Sequence, residues 1–236
     1  MQCSTYLGTK SSYTTPTPTM TTLTVNHVNN KSRLRIVHNV ANGPGVDGYL
    51  DGKRVLKNFA YKSISDYLEI SSGIHTLKVN VADTDTSVVN GEIMFLPGKT
   101  YTLIVHGSIK DLKTIAPLLL DDDLSCPAIG KAHVRFIHAA KDVPDVDIYA
   151  GNSKVFSMVS YGSTGTPTYL PVSAGMVDIS VTPANSTQKV LGPLSLRLAD
   201  GGIYTIIASG LLKDAESPLT ALVSEDTKGS CIVLMI

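Results

Sequence analysis

Short alternating stretches set the character of this chain. In Ile74-His75-Thr76-Leu77-Lys78-Val79-Asn80-Val81, apolar and polar residues take turns. That period of two is the mark of a strand with one buried face. Leu34, Ile36 and His38 fall on one side of a strand, and Arg35 and Val37 on the other. Asp51-Gly52 is a hairpin signal between Gly48-Tyr49-Leu50 and Arg54-Val55-Leu56. Tyr67-Leu68-Glu69-Ile70 reads as a strand, and Asp83-Thr84-Asp85-Thr86 as a loop. Glu92 to Leu96 and Tyr101 to Val105 flank the turn Pro97-Gly98-Lys99 and are predicted to pair as a hairpin. Leu118-Leu119-Leu120 is expected as the last strand of this series.

The series occurs twice. Arg35, His38, Pro44, Val46, Asp47 and Tyr49 recur as Arg135, His138, Pro144, Val146, Asp147 and Tyr149, with no gap. Six identities in fifteen columns define an internal repeat. The match continues through Tyr61 and Tyr161, Tyr67 and Tyr169, Tyr101-Thr102 and Tyr204-Thr205, and Gly107 and Gly210. About seven short strands per copy, with turn signals every 8–12 residues or so, describe a β-sandwich. The expected fold is therefore all-β: two tandem immunoglobulin-like β-sandwich domains with an extended N-terminal arm. The boundaries expected are an arm at 1–32, sandwiches at 33–123 and 132–228, a linker at 124–131 and an apolar C-terminal strand at 229–236. The short linker holds the domains in a fairly fixed relation.

The ends differ from the rest. The arm is rich in Thr and Ser and contains Thr-Pro-Thr-Pro-Thr at 15–19, which favours extended backbone. Cys231-Ile232-Val233-Leu234-Met235-Ile236 is uncharged and strongly β-prone. Left exposed, such a segment aggregates, so it is expected to close a sheet or to enter a neighbouring subunit.

Composition narrows the function classes. The 236 residues carry 20 Lys+Arg and 20 Asp+Glu, so charge gives no reason to expect a nucleic acid partner. No run approaches the length of a membrane span, and the N-terminus lacks the pattern of a secretory signal. Three cysteines are too few for a disulfide scaffold. Cys126 and Cys231 each follow a Ser at matching points of the two copies, and Cys3 has no counterpart. All three are candidates for a disulfide, with Cys3 and Cys231 placed to lock a contact between ends.

Candidate chemistry is sparse. His38 and His138 end the first strand of each copy. They are either proton-transfer groups or structural residues bonded across the hairpin to Asp47 and Asp147. Duplication favours the structural role, because a device needed by the fold is copied with it. Asp47 and Asp147 are alternatively partners for Arg35 and Arg135, fixing strand register through a carboxylate pair. Asp121-Asp122-Asp123, and Asp83 with Asp85, offer hard oxygen ligands but not the spacing of a calcium loop, so no metal is expected. Elbow, zincin and phosphate-loop motifs are missing, so neither catalysis nor a cofactor is expected.

The order apolar-Arg-apolar-apolar-His, a turn with Pro, then Val-Asp-x-Tyr and a Gly-containing hairpin resembles domain of unknown function 4397. The Tyr-Thr-apolar-apolar strand and the Gly before Leu-Lys-Asp fit it too. The resemblance covers about 33–226. It implies tandem β-sandwich domains of exported or cell-surface proteins, mostly bacterial, with copies in large DNA viruses of protists. It carries over no catalytic residue. The missing signal pattern departs from the bacterial members and favours a virion or another particle assembled in the cytoplasm. The expectation is a non-catalytic structural protein that builds a virion component, surface fibre or similar homopolymer through its ends, its partners being itself or other particle proteins. The alternative is a surface adhesin that recognises a glycan or protein through loops at one end of the sandwiches.

Overall fold

The computed structural model describes residues 30–227. The Thr/Pro-rich arm up to residue 29 and the apolar C-terminal strand lie outside the described residues. So do Cys3 and Cys231, and with them the disulfides expected for those ends.

The first copy folds into eight strands in two sheets. One sheet has the order β4-β1-β7-β8, from β1 (Lys31–Ala41), β4 (Leu68–Ser71), β7 (Thr100–Ser108) and β8 (Asp111–Asp121). The other has the order β3-β2-β5-β6, from β2 (Val46–Leu50), β3 (Lys53–Phe59), β5 (Gly73–Val81) and β6 (Ser87–Phe95). The second copy repeats the plan. Its central sheet runs β12-β9-β16-β17, with β13 also paired to β9: β9 (Lys131–His138), β12 (Ser163–Thr164), β13 (Leu170–Ser173), β16 (Ile203–Ser209) and β17 (Thr220–Glu225). Its outer sheet runs β11-β10-β14-β15: β10 (Val146–Ala150), β11 (Ser153–Val159), β14 (Gly175–Pro183) and β15 (Leu191–Leu198). Tandem β-sandwiches are thus what the chain forms.

The predicted hairpin of 92–96 with 101–105 does not form. β6 pairs with β5 in the outer sheet, whereas β7 pairs with β1, in parallel, in the central sheet. The turn between them belongs to β1: Gly98 N–H donates to the Lys31 carbonyl, and Arg33 N–H to the Lys99 carbonyl. A turn whose polar groups are taken up by a third strand cannot close a two-strand ladder. The last strand is also longer than its Leu triplet, running from Asp111.

Parallel pairing of β1 with β7, and of β9 with β16, puts these strands at the centre of the molecule. Every residue of β7 and β16 is buried. They are covered on both faces, as parallel strands usually are. On one face Leu34, Ile36, Tyr101 and Leu103 pack into the core of the first sandwich. Val134, Phe136, Tyr204 and Ile206 do the same in the second. On the opposite face Val37 and Ile104 of the first copy meet Ile137 and Ile207 of the second in one apolar cluster. The two central sheets are therefore stacked face to face, and the domain interface is built like a core.

Gly107 and Gly210 sit where β7 and β16 give way to the strand that follows, at φ of +123° and +92°. A Cβ on Gly107 would lie 2.5 Å from the Thr114 carbonyl oxygen, and one on Gly210 would strike the Pro218 carbonyl. Gly107→Ala and Gly210→Ala should each cost about 1–3 kcal/mol of stability, the cost of a strained backbone position. Urea unfolding of the two variants checks this.

Candidate functional site

The residues that recur in both copies converge on the interface between them. Arg35 and Arg135 lie on the interface faces of β1 and β9, at 3% and 0% exposure. No guanidinium survives at such a position unpaired. Each finds its acid at the end of the other domain. Arg35 donates from Nη1 to Asp226 Oδ1 at 2.6 Å. Arg135 Nη2 stands 2.7 Å from Asp122 Oδ1, as an ion pair rather than an aligned hydrogen bond. Cross terms of 3.8 Å (Arg35 to Asp122) and 3.9 Å (Arg135 to Asp226) close a ring of two cations and two anions.

Threonines complete the ring. Thr102 donates to Asp122 at 2.6 Å and Thr205 to Asp226 at 2.5 Å. Arg35 Nε donates in turn to Thr102 at 2.8 Å, and Arg135 Nη2 to Thr205 at 3.0 Å. Tyr67 and Tyr169 place their rings 5.0 and 4.8 Å from the two guanidinium carbons. Tyr67 also donates to Asp122 at 2.7 Å. Burial and the facing Asp122 push the Tyr67 hydroxyl far above its ordinary range. Burial is the largest influence on Arg35 and opposes its charge, yet Asp226, Tyr67 and Asp122 together outweigh it and raise the guanidinium pKa. Arg35 thus stays charged inside the protein.

This pairing corrects the partners expected from sequence. Asp47 and Asp147 do not hold Arg35 and Arg135, nor do they reach His38 and His138. They sit one strand into the outer sheets and tie down the bulged edges there. Asp47 accepts from the Asn58 N–H at 2.7 Å, and Asp147 from the Met158 N–H at 2.9 Å. Asn58 and Met158 both have positive φ at bulges of β3 and β11, so each carboxylate secures a strained bulge. Asp147 also holds Lys154 at 2.6 Å. The Asn58 amide holds the Asp47 carboxyl below its ordinary value. Tyr49 and Tyr149 stand half-buried on the same strands.

The histidines bind a carbonyl instead. His38 Nε2 donates to the Pro44 carbonyl at 2.9 Å, and His138 Nε2 to the Pro144 carbonyl at 3.1 Å. That explains why His and Pro recur together: each pair ties the end of a central strand to the loop that enters the outer sheet. A third histidine, His106, reaches across the interface to the Tyr161 hydroxyl at 2.7 Å. Burial lowers the pKa of all three below the ordinary 6.5.

The acidic run divides its duties. Asp121 pairs with Lys99, Asp122 joins the buried ring, and Asp123 accepts from the Ser125 amide. Cys126 lies beyond them, exposed, in the segment leading to β9. Sequence reasoning missed Asp226, Thr102 and Thr205 as one set with the arginines. The signal was present in the repeated Tyr-Thr of β7 and β16.

Two open clefts flank the interface. One, of about 790 Å³, lies beside the ring and is lined by Arg33, Ser65, Asp66, Tyr67, Glu225 and Thr227. The other, about 470 Å³, lies at the opposite end and carries Lys110, Lys141, Lys213 and Asp214. There Asp214 accepts from Lys110 at 2.6 Å and from the Ser217 amide, which pulls its pKa down to about 2. The sandwich-end loops at 42–46 and 142–145 come to this second end, Asn42 bonding both Asp214 and Ser217. Among the described residues no helix is long and apolar enough to cross a membrane.

The model of the domain of unknown function DUF4397 matches residues 32–149 and 132–231. This chain belongs to the DUF4397 family. The two matches together cover the strands just described. No curated protein matches the chain. Among solved structures it is similar to the Bacillus anthracis TIE protein, at 13% identity and a TM-score of 0.25, over 76% of this chain and 34% of that one. It is similar to a leucine-rich repeat protein from Bacteroides thetaiotaomicron, at 11% identity and 0.22, over 81% and 27%. A third is a streptococcal family 41 carbohydrate-binding module, at 9% and 0.25, over 80% and 96%. The chain thus spans about a third of the first two proteins. None of these likenesses carries an argument about what this DUF4397 chain does.

Two outcomes follow from the geometry. Asp226→Ala leaves Arg35 buried without its acid and should cost about 3–5 kcal/mol, and Asp122→Ala likewise through Arg135. Replacing a whole pair, Arg35→Met with Asp226→Leu, should recover most of that loss, since no charge is then stranded. Urea unfolding of the single and double variants measures both. The second outcome concerns pH. His38, His106 and His138 fold in the neutral form, so the unfolded chain binds more protons just below pH 6.5. Their contribution is complete above that value and declines as the pH falls through it. The urea midpoint should drop between about pH 7.5 and 5.5, a range in which unperturbed carboxylates stay ionised. His138→Gln should flatten the slope.

Proposed function

We propose that this DUF4397 chain is a non-catalytic building block of a particle or extracellular surface, which assembles with copies of itself through its terminal segments. One observation carries the reading. The polar residues repeated in both copies are spent on bonds internal to the fold. Arg35 and Arg135 join the domains, His38 and His138 tie loops to strands, and Asp47 and Asp147 secure bulges. A pair of sandwiches stacked through a buried charge ring is a stiff unit, suited to bearing load. The uncharged end at 231–236 and the Thr/Pro-rich arm are the segments left over for contacts.

A second reading is a binding module for a glycan or a protein. The observation favouring it is the polar cleft of about 470 Å³ where loops of both sandwiches meet. Titration of an oligosaccharide panel, followed through the amide signals of Lys141 and Leu212, tests it.

Light scattering after gel filtration tests the first reading. The full chain should run as a multiple of its mass, and residues 30–227, which hold all the described strands, as a monomer. A full chain that stays monomeric with and without reductant overturns assembly and moves weight to the cleft.

A further inference from the structure

The two domains end their last strands at one place, on either side of the charge ring. Asp226 Oδ1 and Asp122 Oδ2 stand 2.6 and 3.8 Å from nitrogens of the same guanidinium, that of Arg35. Cys126 comes four residues after Asp122, and Cys231 five residues after Asp226, each behind a Ser. Leu124 and Thr227 line one cleft of about 790 Å³, so the two outgoing segments start side by side. The interface swaps the roles of Arg35 and Arg135, of Asp226 and Asp122, and of Thr102 and Thr205. In the sequence the two cysteines correspond in the same way.

Cys126 is fixed by its neighbours. The Ser125 N–H donates to the Asp123 carboxylate at 2.9 Å, closing a turn just ahead of it, and Pro127 behind it is buried. Cys126 itself is exposed, so small thiols reach it. It is disulfide-bonded. The chain holds two other cysteines, Cys3 and Cys231, both outside the described residues, and one of them is its partner.

We propose that the partner is Cys231 of the same chain, so that a Cys126–Cys231 disulfide ties the C-terminal end to the interdomain linker. The reach is sufficient. The four Cα steps from Thr227 to Cys231 span up to about 14 Å and the two from Leu124 to Cys126 about 7 Å. A disulfide needs Cα atoms about 4.4–6.8 Å apart. Cys3 lies 27 positions before Asn30, the first described residue. Closing a loop costs more entropy the longer the chain between its fixed points, so the four-step tether wins over the 27-step one. With oxidised glutathione as co-reactant, the Cys126 thiolate attacks its S–S bond and releases one glutathione thiolate. The Cys231 thiolate then displaces the second. One S–S bond forms and one breaks, and the protons and the two electrons of the cysteines pass to two glutathione thiols. The product closes residues 126–231, with all of the second sandwich, into a covalent loop. Under the assembly reading, 232–236 is then the part of the apolar end left to reach another copy.

Peptide mapping tests the pairing. The full chain is equilibrated in oxidised and reduced glutathione, quenched with acid and digested with trypsin without reduction. Cleavage after Lys113, Lys131 and Lys228 should give residues 114–131 joined to 229–236, a mass that splits into its two peptides on reduction. Alkylation of the denatured, oxidised chain should label one thiol, that of Cys3. Dithiothreitol should lower the urea midpoint of the full chain and of Cys3→Ser, because the bond restricts the unfolded chain. It should leave the midpoint of Cys3→Ser with Cys126→Ser where it was, both forms folding since residue 126 is exposed. Residues 114–131 joined to the peptide that holds Cys3, or three alkylated thiols, overturns the pairing. A midpoint that reduction leaves unmoved in every form overturns the tie to the linker. The 114–131 to 229–236 link found only in covalent dimers overturns the bond within one chain and leaves the assembly reading standing.

Discussion

Four charges buried between two sandwiches govern this structure. Arg35 with Asp226 and Arg135 with Asp122 are exchanged pairs: each domain supplies the cation for one and the anion for the other. Within a domain the arginine and acid stand 3.8–3.9 Å apart, and each arginine's close partner comes from the other domain. The apolar cluster of Val37, Ile104, Ile137 and Ile207 supplies area to the interface, but area is indifferent to orientation. The charges are not, because a rotated or shifted stack leaves a guanidinium without its carboxylate. A buried charge ring generally adds little net stability over a well-packed apolar substitute, whereas removing one partner strands the other charge.

That specification reaches outward through bonds that repeat across the pseudo-symmetric interface. His106 of the first copy meets Tyr161 of the second, and Tyr61 of the first meets Ser209 of the second at 3.3 Å. Asn39 donates to the Ala139 carbonyl at 2.9 Å. The central sheets thus behave as one core with two outer covers. The outer sheets, one strand further away, are held by local devices, Asp47 and Asp147 on the bulged hairpins and His38 and His138 on the entering loops.

Much of this was legible in the chain. The period of two located β5 and the two faces of β1, and the hundred-residue echo of Arg35 to Tyr49 announced a duplicated all-β fold. The duplication also favoured a structural role for His38 and Asp47. Their partners were another matter. Asp47 follows Arg35 by twelve positions, so a local ion pair was the natural guess, yet β1 and β2 enter different sheets and part the two residues. The true partner of Arg35 lies 191 residues away.

Sequence by itself determined the strand character, the repeat and the apolar end, because these rest on local periodicity and on composition. Only the tertiary structure decided which strands pair and which acid meets which arginine. The hairpin expected at Pro97-Gly98-Lys99 shows why: its residues suit a tight turn, but the carbonyls and amides of β1 compete for the same backbone groups and win. Pairing of distant segments is settled by burial of whole faces at once, and no window of neighbouring residues contains that information.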